Sequence, residues 1–300
     1  MPRVKGPLLS IEAKGTLGGA ITYQGGLSGS RVTKPPLHRD ARSAKQIVQR
    51  VAYANARDEW SWLSDSEKAT WNGKAYGRGM TGYNYFLQQW LAGEVKGETV
   101  LYLPMQEGSG GKVYDRSGYR NDGTISGASW TQLPNGLWVL SFDGVDDYVE
   151  CPAVSIPDYT PWTVESILYV QNEWANFLGN YTVSGLNLIL KAGEGRVGLY
   201  RPSTSLLIQP NIGASLNTWM CIVWSVDDLR NLSLSLNGEL KATVAVGQST
   251  ALIAKYIAHR NTTLDYSWYK GLIGLVRFYK RGLTDKEIVS RYLLMKGLYS

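Results

Sequence analysis

The sequence predicts a mainly β protein in which an all-β sandwich follows an extended basic arm and a small helical unit. From Val100 onward, short apolar segments recur at a spacing of roughly 8–12 residues between Gly, Asn and Asp turns, which is the pattern of a sandwich. Between residues 43 and 92 the apolar residues recur at helical spacing instead. The balance of 44% hydrophobic and 19% charged residues is that of a globular protein.

Charge divides the chain at nearly the same place. Residues 1–96 hold 14 Lys or Arg and 7 Asp or Glu, a net charge of +7, whereas residues 97–300 hold 17 and 18, a net charge of −1. The basic character of the chain, +6 overall, therefore belongs to its N-terminal third. Such a charge suits a docking arm, which we favour, or an acidic partner such as nucleic acid.

Residues 1–42 form the predicted arm, which is rich in Gly, Pro and basic residues. We expect short extended segments with a turn at Gly25-Gly26, and Pro35-Pro36 excludes a helix at that point. The arm holds too little apolar surface to fold alone, so we expect contact with another surface to order it.

Residues 43–96 are predicted to form a small, Trp-rich helical domain. Ser43 caps a first helix, Ser64 and Glu67 fit the capping box of a second, and Thr81 caps a third. A short polar linker, GEVKGET, follows the third helix.

A pattern of residues through this helical domain resembles short domains of bacteriophage and archaeal-virus structural proteins. It is carried by Ala44, Gln46, Arg50, Tyr53, Trp60, Leu63, Ser64, Trp71, Ala75, Met80, Thr81, Gly82, Tyr83, Asn84 and Phe86. The upstream segments GTLGGAITYQ and GSRVTKPP are similar to the lead-in of those domains. The resemblance implies a virion or provirus setting.

Residues 97–300 are predicted to form the sandwich. Its central stretch is Ser141–Cys151, where Asp143-Gly144 predicts a tight hairpin turn between two strands. Thr284–Leu294 is the one predicted helix. The clearest strands are Trp162–Val170, Leu186–Leu190, Val197–Tyr200, Met220–Val226, Leu232–Leu236 and Leu272–Tyr279.

The two cysteines and the N-terminal residues bear on where the protein works. Cys151 and Cys221 lack metal-ligand spacing, and we favour two buried thiols, although a disulfide stays open. The segment MPRVKGPLLSIE has no apolar core of a secretory signal, and no run reaches the roughly 18 apolar residues of a membrane span. The sequence therefore predicts neither a cleaved N-terminal signal nor a membrane span.

Four blocks of the sandwich resemble laminin-G-like, concanavalin-A-type domains and follow in the order of that family. They are Leu101–Gly127, the motif SFDGVDDYVE, the pair Asn217-Thr-Trp219 with LSLSLNGEL, and Gly271–Tyr292. The resemblance implies an antiparallel two-sheet jelly roll.

Calcium is the one cofactor that we expect. The resemblance implies it, because many domains of this type hold Ca²⁺ at a loop edge, and a hard cation takes about six to eight oxygen ligands. The same residues could instead cap turns through side-chain hydrogen bonds. The candidate metal ligands are Asp115, Asn121, Asp122, Asp143, Asp146 and Asp147.

A glycan site is also expected on the sandwich. Sugars present flat C–H faces and hydroxyl groups, so exposed aromatic rings beside Asn, Asp or Arg suit them, although each ring could equally pack against the sandwich. The candidate carbohydrate-binding residues are Tyr119, Arg120, Trp174, Asn176, Trp268 and Tyr269.

Catalysis is not expected. The glucanases of the related fold use a strand motif E-x-D-x-E, which is absent, since Glu165 stands alone in TVESILYV. The only histidines, His38 and His259, supply neither a triad nor a zinc site. A glycoside hydrolase would require two carboxylates about 5–9 Å apart on one sheet.

These observations favour a virion-associated structural protein, a capsid or tail decoration or a spike, that displays a lectin-like jelly roll. We expect residues 1–96 to attach it to other virion proteins, a homo-oligomer, and a glycan or host surface as ligand. A cell-surface or secreted carbohydrate-binding protein without viral link is the alternative. The candidate assembly residues are Arg31, Lys34, Trp60, Trp71, Tyr83 and Phe86.

Overall fold

The computed structural model describes most of the chain, namely residues 15–17, 21–26, 29–33, 43–180, 186–259 and 268–299. The chain divides into two compact units, Met1–Arg42 and Ser43–Ser300. In the first unit, the strands β1 (Gly15–Leu17), β2 (Ile21–Gly26) and β3 (Gly29–Thr33) form a small antiparallel sheet.

Four described α-helices belong to the second unit, and each begins directly after the residue that the sequence predicts as its cap. They are α1 (Ala44–Trp62), α2 (Asp65–Ala75), α3 (Gly82–Leu91) and α4 (Asp285–Met295). The hydroxyl groups of Ser43, Ser64, Thr81 and Thr284 accept hydrogen bonds from backbone N–H groups of the first turn, which satisfies donors that have no partner inside the helix.

Two antiparallel sheets form the sandwich, and their strands are numbered β4–β19 along the chain. We call the first the helix-packed sheet: β4 (Thr99–Leu103), β7 (Ser129–Gln132), β8 (Trp138–Asp143), β10 (Trp162–Val170), β15 (Trp219–Val226), β16 (Asn231–Leu236), β17 (Glu239–Ala245) and β19 (Lys270–Tyr279). Its strand order is β17-β16-β15-β10-β19-β8-β7, and β4 also pairs with β19.

The second sheet, which we call the distal sheet, has the order β14-β13-β12-β11-β18-β9-β6-β5. The predicted mainly β sandwich is therefore confirmed. The strands of the distal sheet are β5 (Lys112–Val113), β6 (Gly123–Ser126), β9 (Tyr148–Ile156), β11 (Ala175–Gly179), β12 (Asn187–Lys191), β13 (Arg196–Arg201), β14 (Leu206–Ile208) and β18 (Leu252–Ile257).

One core lies between the two sheets. Alternate residues of each strand point into it, and the largest buried rings there include Trp162, Phe142 and Trp224. The ring of Trp224 stacks on Phe177 of the opposite sheet at 5.4 Å. This contact holds the two layers together.

A second core lies on the outer face of the helix-packed sheet. Tyr102, Leu275 and Tyr279 of the sheet pack against apolar residues of the helices, including Val51 and Ile288. The second unit therefore has three layers: helices, helix-packed sheet and distal sheet. Because the helices share a core with the sheet, the division into a helical domain 43–96 and a sandwich 97–300 stays a prediction.

Buried charges cross this second core. Glu165 of β10 pairs with Arg277 of β19 at 3.0 Å, and both side chains are 1% exposed. Arg291 of α4 donates to the Tyr279 hydroxyl at 2.5 Å and to Asp58 of α1 at 3.1 Å. The network fixes the helices on the sheet.

Cys151 and Cys221 are free and buried, and they lie in different sheets. In the described part of the chain, no helix combines the length and apolar character needed to cross a membrane.

Candidate ligand-binding site

Four aromatic side chains contact one another at one end of the sandwich, where β8 turns into β9, and the backbone of Trp174 lies beside them. We call this group the aromatic rim: Tyr148, Trp174, Tyr256, His259 and Trp268. Trp268 lies flat on His259, with ring centroids 3.6 Å apart and planes at 5°. Tyr148 lies 5.8 Å from Tyr256, 5.8 Å from His259 and 6.4 Å from Trp268.

The side chain of Asn172 connects the two tryptophans of the rim. Its amide nitrogen donates to the carbonyl of Trp174 at 2.6 Å and to the carbonyl of Trp268 at 2.7 Å. Its amide oxygen accepts from the backbone N–H of Lys270 at 3.2 Å. Trp174 is 38% exposed, whereas Trp268 and Tyr148 are half-buried, so the rim presents aromatic surface to solvent.

Charged groups stand beside the rings. The ammonium group of Lys255 lies 2.7 Å from the Glu150 carboxylate and 3.0 Å from the Tyr256 hydroxyl. The hydrogen bond to Glu150, followed by that to Tyr256, raises the pKa of Lys255. Lys191 lies 5.4 Å from the ring centre of Trp174. The rim therefore combines apolar faces with donors and acceptors.

The turn between β8 and β9 adds three carboxylates next to Tyr148. Oxygens of Asp143, Asp146 and Asp147 lie within 4.8 Å of one another. Asp147 is 6% exposed and accepts the backbone N–H of Asp143 at 2.7 Å. Burial is the largest cause of its raised pKa, which the charges of Asp143 and Asp146 raise further.

The structure does not gather the six predicted metal ligands into one site. Asp115 and Asp122 do not join the carboxylates of the turn in the described residues. Both oxygens of Asp115 accept backbone N–H groups, from Tyr102 and Ser117 on one and from Asn121 on the other, all at 2.8 Å. Asp122 accepts the N–H of Asp115 at 2.9 Å. These residues fasten their loop to β4, as side-chain caps of turns do.

Of the predicted sugar ligands, Trp174 and Trp268 lie at the rim, where Asn172 joins their backbone carbonyls. Asn176 and Tyr269 are buried, so neither can meet a ligand at the surface, and we withdraw both from the site. The Tyr269 hydroxyl lies 3.1 Å and 3.0 Å from the carbonyls of Tyr169 and Leu272, which is a structural role.

Tyr119 and Arg120 lie at the opposite end of the sandwich. The Tyr119 hydroxyl meets Lys280 at 3.3 Å, just after β19, whereas the rim lies where β19 begins at Lys270. The strand separates the two places by about 30 Å. Arg120 pairs with Glu94 at 2.9 Å. These two residues are therefore not part of the rim.

Sequence reasoning missed Tyr148, Tyr256 and His259. Tyr148 was visible beside the Asp turn, but nothing in the sequence indicates that β9 pairs with β18, where Glu150 lies opposite Tyr256. That pairing brings the rings together.

The predicted assembly residues of the helices pack on one another. Trp60 contacts Tyr83 and Phe86 with ring centroids 5.6 Å and 5.3 Å apart, and Trp71 contacts Phe86 at 5.2 Å. Phe86 is buried and so cannot reach another protein. Arg31 lies in β3, in the first unit, and Lys34 lies outside the described residues.

Comparison with known proteins supports the fold. No family model and no curated protein matches this sequence. Among solved structures, the chain is similar to the binding domain of Paraclostridial Mosquitocidal Protein 1, with a TM-score of 0.53 and 12% identity over 65% of this chain and 52% of that one. It is also similar to the receptor binding domain of botulinum neurotoxin C/D mosaic serotype, with a TM-score of 0.51 and 12% identity over 65% of this chain and 51% of that one.

A third similar structure is domain 4 of a GH43 extracellular arabinanase from Geobacillus stearothermophilus, in complex with arabinotriose. The TM-score is 0.51 and the identity 15%, over 66% of this chain and 100% of that domain. The chain thus matches about half the length of the two toxin binding domains and the whole arabinanase domain. At these identities the likeness shows a shared β-sandwich fold.

Proposed function

We propose that this chain is a non-catalytic binding protein whose sandwich takes a glycan at the aromatic rim. The observation that carries the proposal is that the rings of Tyr148 and Trp268 lie together at one end of the sandwich, where Asn172 joins the backbone of Trp174 to that of Trp268. Sugar rings stack on aromatic faces, while their hydroxyl groups bond to carboxylates, amides and ammonium groups. Lys255, Glu150 and the Asp turn supply such partners.

The similar structures agree with a binding role. The arabinanase domain was solved with arabinotriose, and the two toxin domains are named binding domains. The position of Glu165 agrees as well, because its carboxylate is buried and paired with Arg277, out of reach of a substrate. We therefore assign the sandwich binding and not hydrolysis.

A glycan array on the full chain, followed by calorimetry with the best ligand, tests this proposal. Trp268→Ala and Trp174→Ala should each weaken binding about tenfold or more, because aromatic anchors dominate such contacts. Tyr76→Ala is the matched control, since Tyr76 is 90% exposed in the helical layer. Melting curves check that each variant folds. Binding by both rim variants at wild-type affinity would refute the assignment of the rim.

Calcium stays a prediction at the turn that holds Asp143, Asp146 and Asp147. The donor type fits a hard cation, but three carboxylates fall short of the six to eight oxygens that calcium takes, and Asp143 and Asp147 already accept backbone N–H groups. Repeating the calorimetry with calcium chloride and with a chelator decides whether calcium changes the affinity for the glycan.

A virion setting is the further part of the proposal: residues 1–96, which include the first unit, attach the protein to an assembly, and the sandwich is displayed on it. It is supported by the resemblance in residues 43–96 and by the separate compactness of Met1–Arg42. Light scattering should find defined oligomers for the full chain and monomers for residues 43–300. Monomers in both cases would count against this part and leave the cell-surface alternative.

A further inference from the structure

Two arginines meet at the end of the sandwich opposite the aromatic rim. Asp158 precedes β10 and Asn172 follows it, so the two ends lie about 30 Å apart. We call the group at this far end the arginine end: Asp158, Tyr159, Arg201, Arg230 and Gln248. None of these residues takes part in the rim.

Arg201 occupies an unusual position for a charged side chain. In β13 it follows Val197 and Leu199 at alternate positions, so it lies on the face that lines the core. It is 5% exposed, and one terminal nitrogen of its guanidinium group donates to the carbonyl of Ser249. Its Nε is buried and has no hydrogen-bond partner in the described part of the chain.

Arg230 stands close to Arg201 and is also incompletely paired. It donates to the Asp158 carboxylate at 2.6 Å, but its Nε too is buried without a partner among the described residues. Asp158 is the one carboxylate of the group, and it also accepts the N–H groups of Thr250 at 2.8 Å and of Tyr159 at 3.1 Å, so its single negative charge faces two arginines. One positive charge therefore remains uncompensated within this group.

The charges around Arg201 also indicate that its guanidinium group is incompletely compensated. Burial lowers the pKa of its guanidinium group, Asp158 opposes this change, and the charge of Arg230 adds to it. Leaving a charged donor buried and unpaired is costly, so an acceptor that completed its hydrogen bonds would be favoured. A negatively charged oxygen group meets both needs, because arginine bonds such groups through two parallel N–H groups.

The surroundings indicate what carries that group. Tyr159 is 64% exposed, and the guanidinium carbon of Arg230 lies 3.7 Å from its ring centre. Arg230 thus covers one face of the ring, and the exposed remainder of the ring, held beside the positive charge, suits the flat face of a sugar. The side-chain oxygen of Gln248, next to Ser249 in the chain, is also buried and finds no donor among the described residues, so unsatisfied polar atoms of three side chains lie at this end.

We propose that Arg201 and Arg230 form a second binding site, which takes the carboxylate or sulfate group of an acidic sugar beside Tyr159. This site is independent of the glycan site at the aromatic rim. Two sites at opposite ends would let one molecule bridge two chains, or two points of one long chain, and so increase its avidity.

Calorimetry with the full chain tests this site with four probes: trigalacturonate, a sulfated heparin disaccharide, sodium sulfate and the neutral sugar maltotriose. At least one acidic sugar should bind more tightly than maltotriose, and the better acidic sugar identifies the group. Arg201→Met removes the charge at similar volume and should weaken that binding about tenfold or more, the loss expected for charged hydrogen bonds.

Arg196→Met is the matched control, because Arg196 lies in the same strand, is exposed and pairs with Glu194. It should bind the acidic sugar like the wild type. Trp268→Ala removes a ring of the aromatic rim, so it distinguishes binding at the rim from binding at the arginine end. Tyr159→Asn is a second test that does not depend on a buried substitution. Tyr159 has φ of 59°, a conformation that Asn tolerates, and its loss should weaken sugar binding more than sulfate binding.

Three results would overturn the proposal. The first is that acidic and neutral sugars bind with equal affinity. The second is that Arg196→Met and Arg201→Met lose the same amount of affinity for the acidic sugar. The third is that sodium sulfate binds as tightly as the acidic sugars do. If Trp268→Ala abolished the binding of the acidic sugar while Arg201→Met kept it, the acidic sugar would bind at the aromatic rim. The second site would then be refuted, and the proposed glycan site at the rim would stand.

Discussion

Glu165 and Trp268 both stood out in the sequence, and their surroundings give them opposite roles. Glu165 is enclosed with Arg277 and the Tyr279 hydroxyl, so its charge serves the contact between helices and sheet. Trp268 lies on His259 at the margin of the sandwich, where one side remains accessible. Of the two, only Trp268 was a candidate ligand contact, and the burial of Glu165 agrees with its exclusion from a catalytic role.

Glu287 makes the stability of the protein depend on pH. Burial alone would raise the pKa of this carboxyl, but hydrogen bonds from Arg281, Thr284 and Trp62 lower it to about 2 from an ordinary value of 4.5. A carboxyl with a lowered pKa stabilises the folded state above its unfolded pKa. This contribution is therefore complete above pH 4.5 and is lost as the pH falls toward 2.

Urea unfolding at several pH values between 7 and 2 measures this effect. The free energy of unfolding of Glu287→Gln should lie below that of the wild type at pH 7, and the difference should shrink as the pH falls through this range. Glu94→Gln is the control, because Glu94 is exposed and its pair with Arg120 is of the kind that contributes little. A difference that stays constant with pH would contradict the role of Glu287.

Among the elements, β19 organises the second unit. It pairs with β10, β8 and β4, and its first residue lies at the aromatic rim. Its outer face must also receive Tyr299, whose ring packs directly over Gly274 and whose hydroxyl donates to the Gly274 carbonyl at 3.1 Å. A side chain at position 274 would occupy the space of that ring.

Gly274→Ala should therefore destabilise the protein by about 1–3 kcal/mol, the usual cost of overpacking. A Cβ built at this position would lie 2.2 Å from a ring carbon of Tyr299. Gly282→Ala is the matched control, since the nearest atoms to its Cβ are 3.8 Å and 4.0 Å away. Chemical denaturation compares the two variants. If Gly274→Ala and Gly282→Ala were equally stable, the ring of Tyr299 would not pack over Gly274 as described.

For the whole molecule, the helices and the sandwich share one apolar core, and this decides where the chain can be cut. Removal of residues 1–42 leaves the second unit intact, so residues 43–300 should melt as the full chain does. Removal of residues 1–96 uncovers Tyr102, Leu275 and Tyr279 on the outer face of the sheet. That shorter chain should aggregate, as large exposed apolar patches do.

Local features of the sequence predicted the second unit well. The caps Ser43, Ser64, Thr81 and Thr284 and the turn at Asp143-Gly144 depend on neighbouring residues only, so their chemistry can be recognised without the fold. The candidate site residues stay predictions. Asn172 joins the backbones of Trp174 and Trp268, whereas the six proposed metal ligands do not lie together.

The sequence by itself determined the sandwich, the helical layer with its caps, and the absence of the common catalytic motifs, because these depend on periodicity, turn chemistry and residue type. Only the tertiary structure decided which rings meet at the rim and that Arg201 and Arg230 stand together. Tyr148 and Tyr256 are brought together by the pairing of two strands that lie far apart in the chain. The two arginines lie at the ends of separate strands, Arg201 at the end of β13 and Arg230 directly before β16. Such contacts follow from how whole sheets pack, which no short stretch of sequence encodes.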